Sequence, residues 1–275
     1  MKSVFRVIVC AAAVAMAVAP GSPLWAQNDL DTQVVPFSDP SRPGKIEVDL
    51  LSGSITVRGE NRRDVAIVMR GATGKPASER PAPSGLRRLT QAPGFTVSEE
   101  RNEIKIEASS FQNGGSVELR VPLRTNLELM SVNGGRITVE GVEGEIEIEN
   151  VNGPVALTDV AGSVVANSVN GGVTAKLTRV MADKAMAFTS FNGPVDVTLP
   201  ATLKANLKLR SDQGEIFTDF DVQMRQSPPV PGNGTRSNGR FRLEVNRAIY
   251  GSVNGGGPEI ELRTFNGSVY LRKGQ

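Results

Sequence analysis

Ser131-Val132-Asn133-Gly134, Asn150-Val151-Asn152-Gly153 and Ser168-Val169-Asn170-Gly171 lie within one stretch, Ser131 to Leu177. Weaker copies, Val142-Glu143-Gly144 and Val160-Ala161-Gly162, fall between them. Apolar positions recur every nine residues: Ile137, Ile146, Val155, Val164 and Val173 in one series, and Val139, Ile148, Leu157, Ala166 and Ala175 in a second. A third series is Val142, Val151, Val160 and Val169. Arg136, Thr138 and Glu140 alternate with Ile137 and Val139, and Glu145, Glu147 and Glu149 with Ile146 and Ile148. Strands of this kind bury one face and wet the other.

Two all-β architectures accommodate such units. Asn-Gly is a strong hairpin signal, which favours an antiparallel meander or sandwich. A β-solenoid, or β-helix-like stack of short strands with Asn-Gly corners, explains more. The Asn-Gly copies at 133, 152 and 170 recur at every second unit, as expected if a coil of about 18 residues has two unlike corners. Stacked Asn133, Asn152 and Asn170 would run amide bonds from coil to coil, and Gly lets the chain turn where a Cβ would clash. One unit buries two or three aliphatic side chains at about 1.5–3 kcal/mol each. Ordering its backbone costs about 1–2 kcal/mol per residue. Only a core shared with neighbouring units holds such a fold.

Outward from this stretch, Ile46–Leu50, Ile55–Val57, Val65–Met69, Phe95–Val97, Ile104–Ile106 and Val117–Val121 read as strands. Val117–Gly134 (VELRVPLRTNLELMSVNG) resembles Val195–Gly214 (VDVTLPATLKANLKLRSDQG): a strand, a Pro, Asn before Leu-x-Leu, then Ser-x-(Asn/Gln)-Gly. Asn192-Gly193, Val253-Asn254-Gly255 and Phe265-Asn266-Gly267 are further corners. Thr178–Ala185 reads as an insertion within one turn. Segments 71–94 and 223–240, rich in Pro, Gly and polar residues, read as loop excursions. The first also carries Arg80, Arg87 and Arg88, which suit an anionic glycan or lipid, though an ordinary solvated loop has the same composition.

Lys2 and Arg6 precede an apolar run, Val7–Ala19, closed by Pro20, Gly21 and Pro23 and by Leu24-Trp25-Ala26. This predicts a signal peptide over 1–26; the run is short of the ~20 apolar residues of a membrane span. Residues 27–45 form an extended lead-in and 46–273 one β-repeat domain. Cleavage would remove the only Cys and the only Trp and lower the net charge from +2 to 0, since Lys2 and Arg6 leave without an acid. A neutral chain is a poor partner for nucleic acid. With no His anywhere, Ser-His-Asp and Cys-His catalysis are excluded, as are the usual zinc sites.

The S-V-N-G-x-h-x-h pattern, the V-x-G corners and the L-P…N-L-x-L-x-S-x-x-G block resemble the bacterial "putative adhesin" families of the DUF4097 type. The resemblance covers roughly 46–273 and is carried by Ser131–Val197 and Val253–Leu271. It implies an exported, β-solenoid-like repeat protein of adhesive type and brings no catalytic, cofactor or metal residue with it. The expected function is therefore a non-enzymatic cell-envelope or surface protein, periplasmic, surface-bound or secreted. It would bind an envelope protein or a glycan through loops and polar strand faces, without a cofactor. The alternative is a carboxylate-dependent, polysaccharide-active β-helical enzyme, for which Asp196, Asp212, Asp219 and Asp221 are the candidates. A calcium site at the corners is a third reading, although the closely spaced Asp runs of calcium loops are missing.

Overall fold

The computed structural model describes residues 32–70, 95–108, 115–133, 135–226, 235–237, 240–242 and 248–274. The expected signal peptide and the 71–94 excursion lie outside these residues. The strands are β1 (Gln33–Pro36), β2 (Gly44–Ser52), β3 (Ser54–Glu60), β4 (Asp64–Arg70), β5 (Phe95–Glu100), β6 (Glu103–Ala108), β7 (Ser116–Pro122) and β8 (Thr125–Asn133). They continue as β9 (Ile137–Glu140), β10 (Glu143–Asn150), β11 (Val155–Ser168), β12 (Val173–Val180), β13 (Met186–Asn192), β14 (Val195–Pro200), β15 (Ala205–Ser211) and β16 (Ile216–Thr218). The last are β17 (Gln223–Arg225), β18 (Thr235–Ser237), β19 (Arg240–Arg242), β20 (Ile249–Val253), β21 (Glu259–Asn266) and β22 (Val269–Gly274).

Parallel pairing joins strands that are distant in sequence, so the chain is a solenoid and not a meander. One face runs β6-β2-β8-β10-β11-β13-β21-β15. The other runs β7-β3-β9-β11-β12-β14-β22-β16. β11 serves both: Val155–Thr158 pairs with β9, and Ala161–Ser168 with β10 after a bulge. The nine-residue beat is therefore half a coil. Ile137, Val155 and Val173 stack on one face, and Ile146 and Val164 on the other.

Inward side chains of both faces meet in one core. Ile46, Ile137, Ile148, Val155 and Phe188 are all essentially without exposure. Volume is exchanged between neighbours, since Phe188 pairs with the small Ala166.

Spatial order departs from chain order at both ends. The first coil, β2–β3, lies between β6–β7 and β8–β9; the last, β21–β22, lies between β13–β14 and β15–β16. This explains the internal repeat. Val117–Gly134 and Val195–Gly214 are the two places where the chain steps over an intervening coil. Pro122 and Pro200 end the departing strands, where the missing N–H suits a ladder's end. Asn126 and Asn206 then fasten the arriving strand: Asn126 Oδ1 accepts from Glu145 N at 2.9 Å, and Asn206 Nδ2 donates to Gly257 O.

Antiparallel strands finish the stack. β5 lies on β6, and β4 with β1 on β7; at the far end β20 lies on β15, and β17 on β20. Such caps cover the outer edges of β6, β7 and β15, where another chain would otherwise add. The lead-in, read as extended, carries the paired strand β1. The 223–240 segment, read as a loop excursion, opens with β17 and contains β18. The 178–185 insertion is also shorter than expected, because Thr178–Val180 continue β12.

Candidate functional site: the Asn-Gly corner

The Ser-Val-Asn-Gly motif resolves into four columns along one corner. Its Ser points inward and donates to a glycine carbonyl of the preceding coil. Ser131 reaches Gly53, Ser168 Gly153, Ser190 Gly171, Thr264 Gly193 and Ser211 Gly267, at 2.7–3.1 Å. These hydroxyls are buried, and burial without a partner would be costly. The glycines are required by contact. A Cβ on Gly153 would lie 2.1 Å from Gly135 O, and one on Gly214 2.0 Å from Gly267 O.

The Asn column is a ladder. Asn170 Nδ2 donates to Asn152 Oδ1 at 2.8 Å, Asn192 to Asn170 at 2.9 Å and Asn266 to Asn192 at 2.7 Å. The expected Asn133 rung is replaced, because Asn152 donates to Val132 O instead. Each ladder carbonyl from Asn152 to Asn192 is thus turned toward the next amide, which weakens the corner as a set of calcium ligands. No group of three Asp or Glu able to hold a metal ion occurs among the described residues.

The fourth column points outward. The third apolar series divides between the two unlike corners: Val142 and Val160 are buried at one, while Val151 and Val169 are 36% and 44% exposed at the other. The row continues through Phe191, 50% exposed, and Phe265, 36% exposed, whose rings stack at 4.9 Å. Sequence reading missed this row. The available signal was an aromatic residue directly before Asn-Gly in Ser190-Phe191-Asn192-Gly193 and Thr264-Phe265-Asn266-Gly267.

Beside it runs a polar row in register, Glu149, Asn167, Thr189 and Arg263. Together the rows bound an open groove of about 410 Å³. Thr189 Oγ1 donates to Asn167 Oδ1. Asn150 lies on the groove floor. It takes the place of Ser in the inward column and donates to Gly135 O at 2.8 Å, but its Oδ1 is buried without a donor. The apolar wall, the polar wall with unlike charges at its two ends, and the departure from Ser in the floor all fall in one place.

A second groove, of about 260 Å³, lies on the same face beside Lys45 and Glu128. Glu128 at 2.7 Å holds the Lys45 ammonium above its ordinary range. The Lys105 ammonium holds Glu47 below its ordinary range, and burial, then Glu47, pushes Asp49 up.

The four candidate carboxylates do not line either groove. Asp196 receives Arg272 Nε at 2.8 Å and Nη2 at 3.1 Å; Asp212 receives Arg210 Nη2 at 2.8 Å. Asp219 Oδ1 accepts Lys273 N at 2.7 Å, and Asp221 is exposed. Asp196 and Asp212 are held by arginine and Asp219 by a backbone amide.

A parallel β-solenoid with amide, hydroxyl and glycine columns along one corner defines the class of protein. The chain belongs to the Toastrack DUF4097 family, whose model matches residues 45–248. Two solved structures resemble it. One is titled a "putative cell adhesion protein" from Clostridium sporogenes (TM-score 0.45, 9% identity, covering 88% of this chain and 99% of that one). The other is titled a "putative adhesin" from Bacteroides fragilis (TM-score 0.28, 10% identity, covering 88% and 95%). No curated protein matches the chain significantly.

Proposed function

We propose that the protein is exported and acts as a non-enzymatic binding or scaffolding protein of the cell envelope or surface, of adhesin type. On this reading residues 1–26 are a cleaved signal peptide and 46–273 work as one repeat domain. An extended partner, an envelope protein or a glycan, lies along the Asn-Gly corner. The observation that carries the reading is the exposed row from Val151 to Phe265 beside the Glu149–Arg263 row. Exposed aromatic side chains beside convergent polar groups are typical of binding surfaces. The arginine and backbone contacts of Asp196, Asp212 and Asp219 favour structural roles for those acids over catalytic ones.

The test is retention of the labelled protein on envelope extract and on a glycan array. Val169→Asp and Phe191→Ala change the groove without touching the core, so retention falls while circular dichroism shows both variants folded; Phe191→Ala also gives up its stack on Phe265, at a modest cost in melting temperature. Undiminished retention by both variants defeats the corner as the binding surface. Release of sugar products from a polysaccharide panel, abolished by Asp196→Asn, defeats the non-enzymatic reading.

A further inference from the structure

The coil Glu259–Gly274 is last in the sequence but sits second from the end of the stack. Its neighbours β13 and β15 are two strand spacings apart, about 9.6 Å, and cannot pair directly. They leave a slot that only this coil fills. The fit is specific on both sides. Phe265 stacks on Phe191 in one neighbour, and Tyr270 on Phe217 in the other at 5.3 Å. Both ring stacks found among the described residues involve this coil. Arg272 pairs with Asp196, and Lys208 with Glu261 at 3.1 Å. Thr264 and Gly267 continue the hydroxyl and glycine columns through the slot.

The coil hangs on a distinctive connector. β20 pairs with one edge of β15 and β21 with the other, so Asn254–Pro258 must step over the start of β15. Asn254, Gly255 and Gly256 all have positive φ, at 50°, 90° and 85°. Drawn out, five residues reach about 17 Å, more than the roughly 9.6 Å between β13 and β15.

We propose that the slot accepts the C-terminal coil of a second copy of this chain, giving coil-exchanged dimers in which Asn254–Pro258 is the hinge. Every contact that fills the slot from within is available, unchanged, from another copy. Local concentration alone favours the chain's own coil, and exchange of an identical element is a low-cost route to assembly. Among the described residues β15 and β16 pair only with β20, β21 and β22, so the end of the stack assembles when a C-terminal coil, the chain's own or another copy's, seats on β13 and β14.

The experiment uses the full chain in a Cys10→Ser background. Ala187 and Glu261 are register partners across the slot. A chain with Ala187→Cys and one with Glu261→Cys are refolded together at rising concentration and oxidised. A disulfide linking the two chains, with yield rising with concentration, is expected; the double variant forms the bond within one chain. A Thr56→Cys chain, altered far from the slot, gives no link with Glu261→Cys. Circular dichroism checks that each variant folds, and native mass spectrometry of the unsubstituted chain shows the same rise in dimer. The proposal is overturned if the double variant closes internally while the mixture and the unsubstituted chain stay monomeric at every concentration. It is also overturned if Thr56→Cys links equally well, or if the double variant fails to close.

Discussion

Gly153→Ala tests the corner at its tightest point. The added methyl would sit 2.1 Å from Gly135 O. Bringing that contact to a tolerable distance opens adjacent coils by about 1 Å locally. Nearby hydrogen bonds have no such slack: Asn150 Nδ2 to Gly135 O is 2.8 Å, Ser168 Oγ to Gly153 O 2.9 Å and Ile137 N to Pro154 O 3.1 Å. Stretching any of them by about 1 Å takes it outside hydrogen-bonding range. Losing one or two, at about 1–3 kcal/mol for each buried group left unpaired, gives an expected loss of about 3–5 kcal/mol with strain included. Gly141→Ala is the control. Its φ is +65°, but the nearest atom to its Cβ is 3.8 Å away, so it should cost only the left-handed penalty of about 1–2 kcal/mol. Urea unfolding followed by circular dichroism measures both. If Gly153→Ala proves no more destabilising than Gly141→Ala, the glycine column is not under steric demand and the account of the motif fails.

Ile146→Asp or Val155→Asp puts a carboxylate into the shared core, where both residues are at most 2% exposed, and should unfold much of the stack; unchanged thermal stability would place them elsewhere. Asn150→Ser, by restoring the hydroxyl column and removing the orphaned Oδ1, should stabilise by about 1 kcal/mol, read as a raised urea midpoint. Because Lys105 lowers the Glu47 carboxyl, the unfolded chain takes up that proton first on acidification. Glu47's contribution is then complete above its ordinary value of 4.5 and fades as pH falls through the lower folded value. Glu47→Gln should flatten the acid limb of stability against pH, an effect muted by added salt. Asp49, pushed up by burial, runs oppositely, so Asp49→Asn should raise stability at neutral pH.

The repeat, its period and its inward residues were legible because burial of one strand face imposes alternation, and alternation survives in any single copy. Ser131, Asn152 and Gly153 were legible as a motif, but only the structure separates their tasks: buried donor, ladder rung and absent Cβ. Val151 and Val160 occupy the same beat and face opposite environments, because two unlike corners share one period. The position of Glu259–Gly274 was not legible. Its motif matches its neighbours', and pairing between distant coils leaves no mark in local pattern. The step-over segments did leave one, as the Pro…Asn-Leu-x-Leu repeat, although its meaning needed the pairing order. The groove beside the Asn-Gly corner was hidden for a related reason, since its walls come from four coils and no two of its residues in a row are adjacent in sequence.

The antiparallel caps have a mechanical consequence. Gln33 in β1 and Gly274 in β22 are separated by eight strand-to-strand steps on the same face, about 38 Å of hydrogen-bonded ladder. That ladder is a strut that resists shortening along the stack, so Gln33 and Gly274 keep their separation under load. A pair of dyes at those two positions would read it directly.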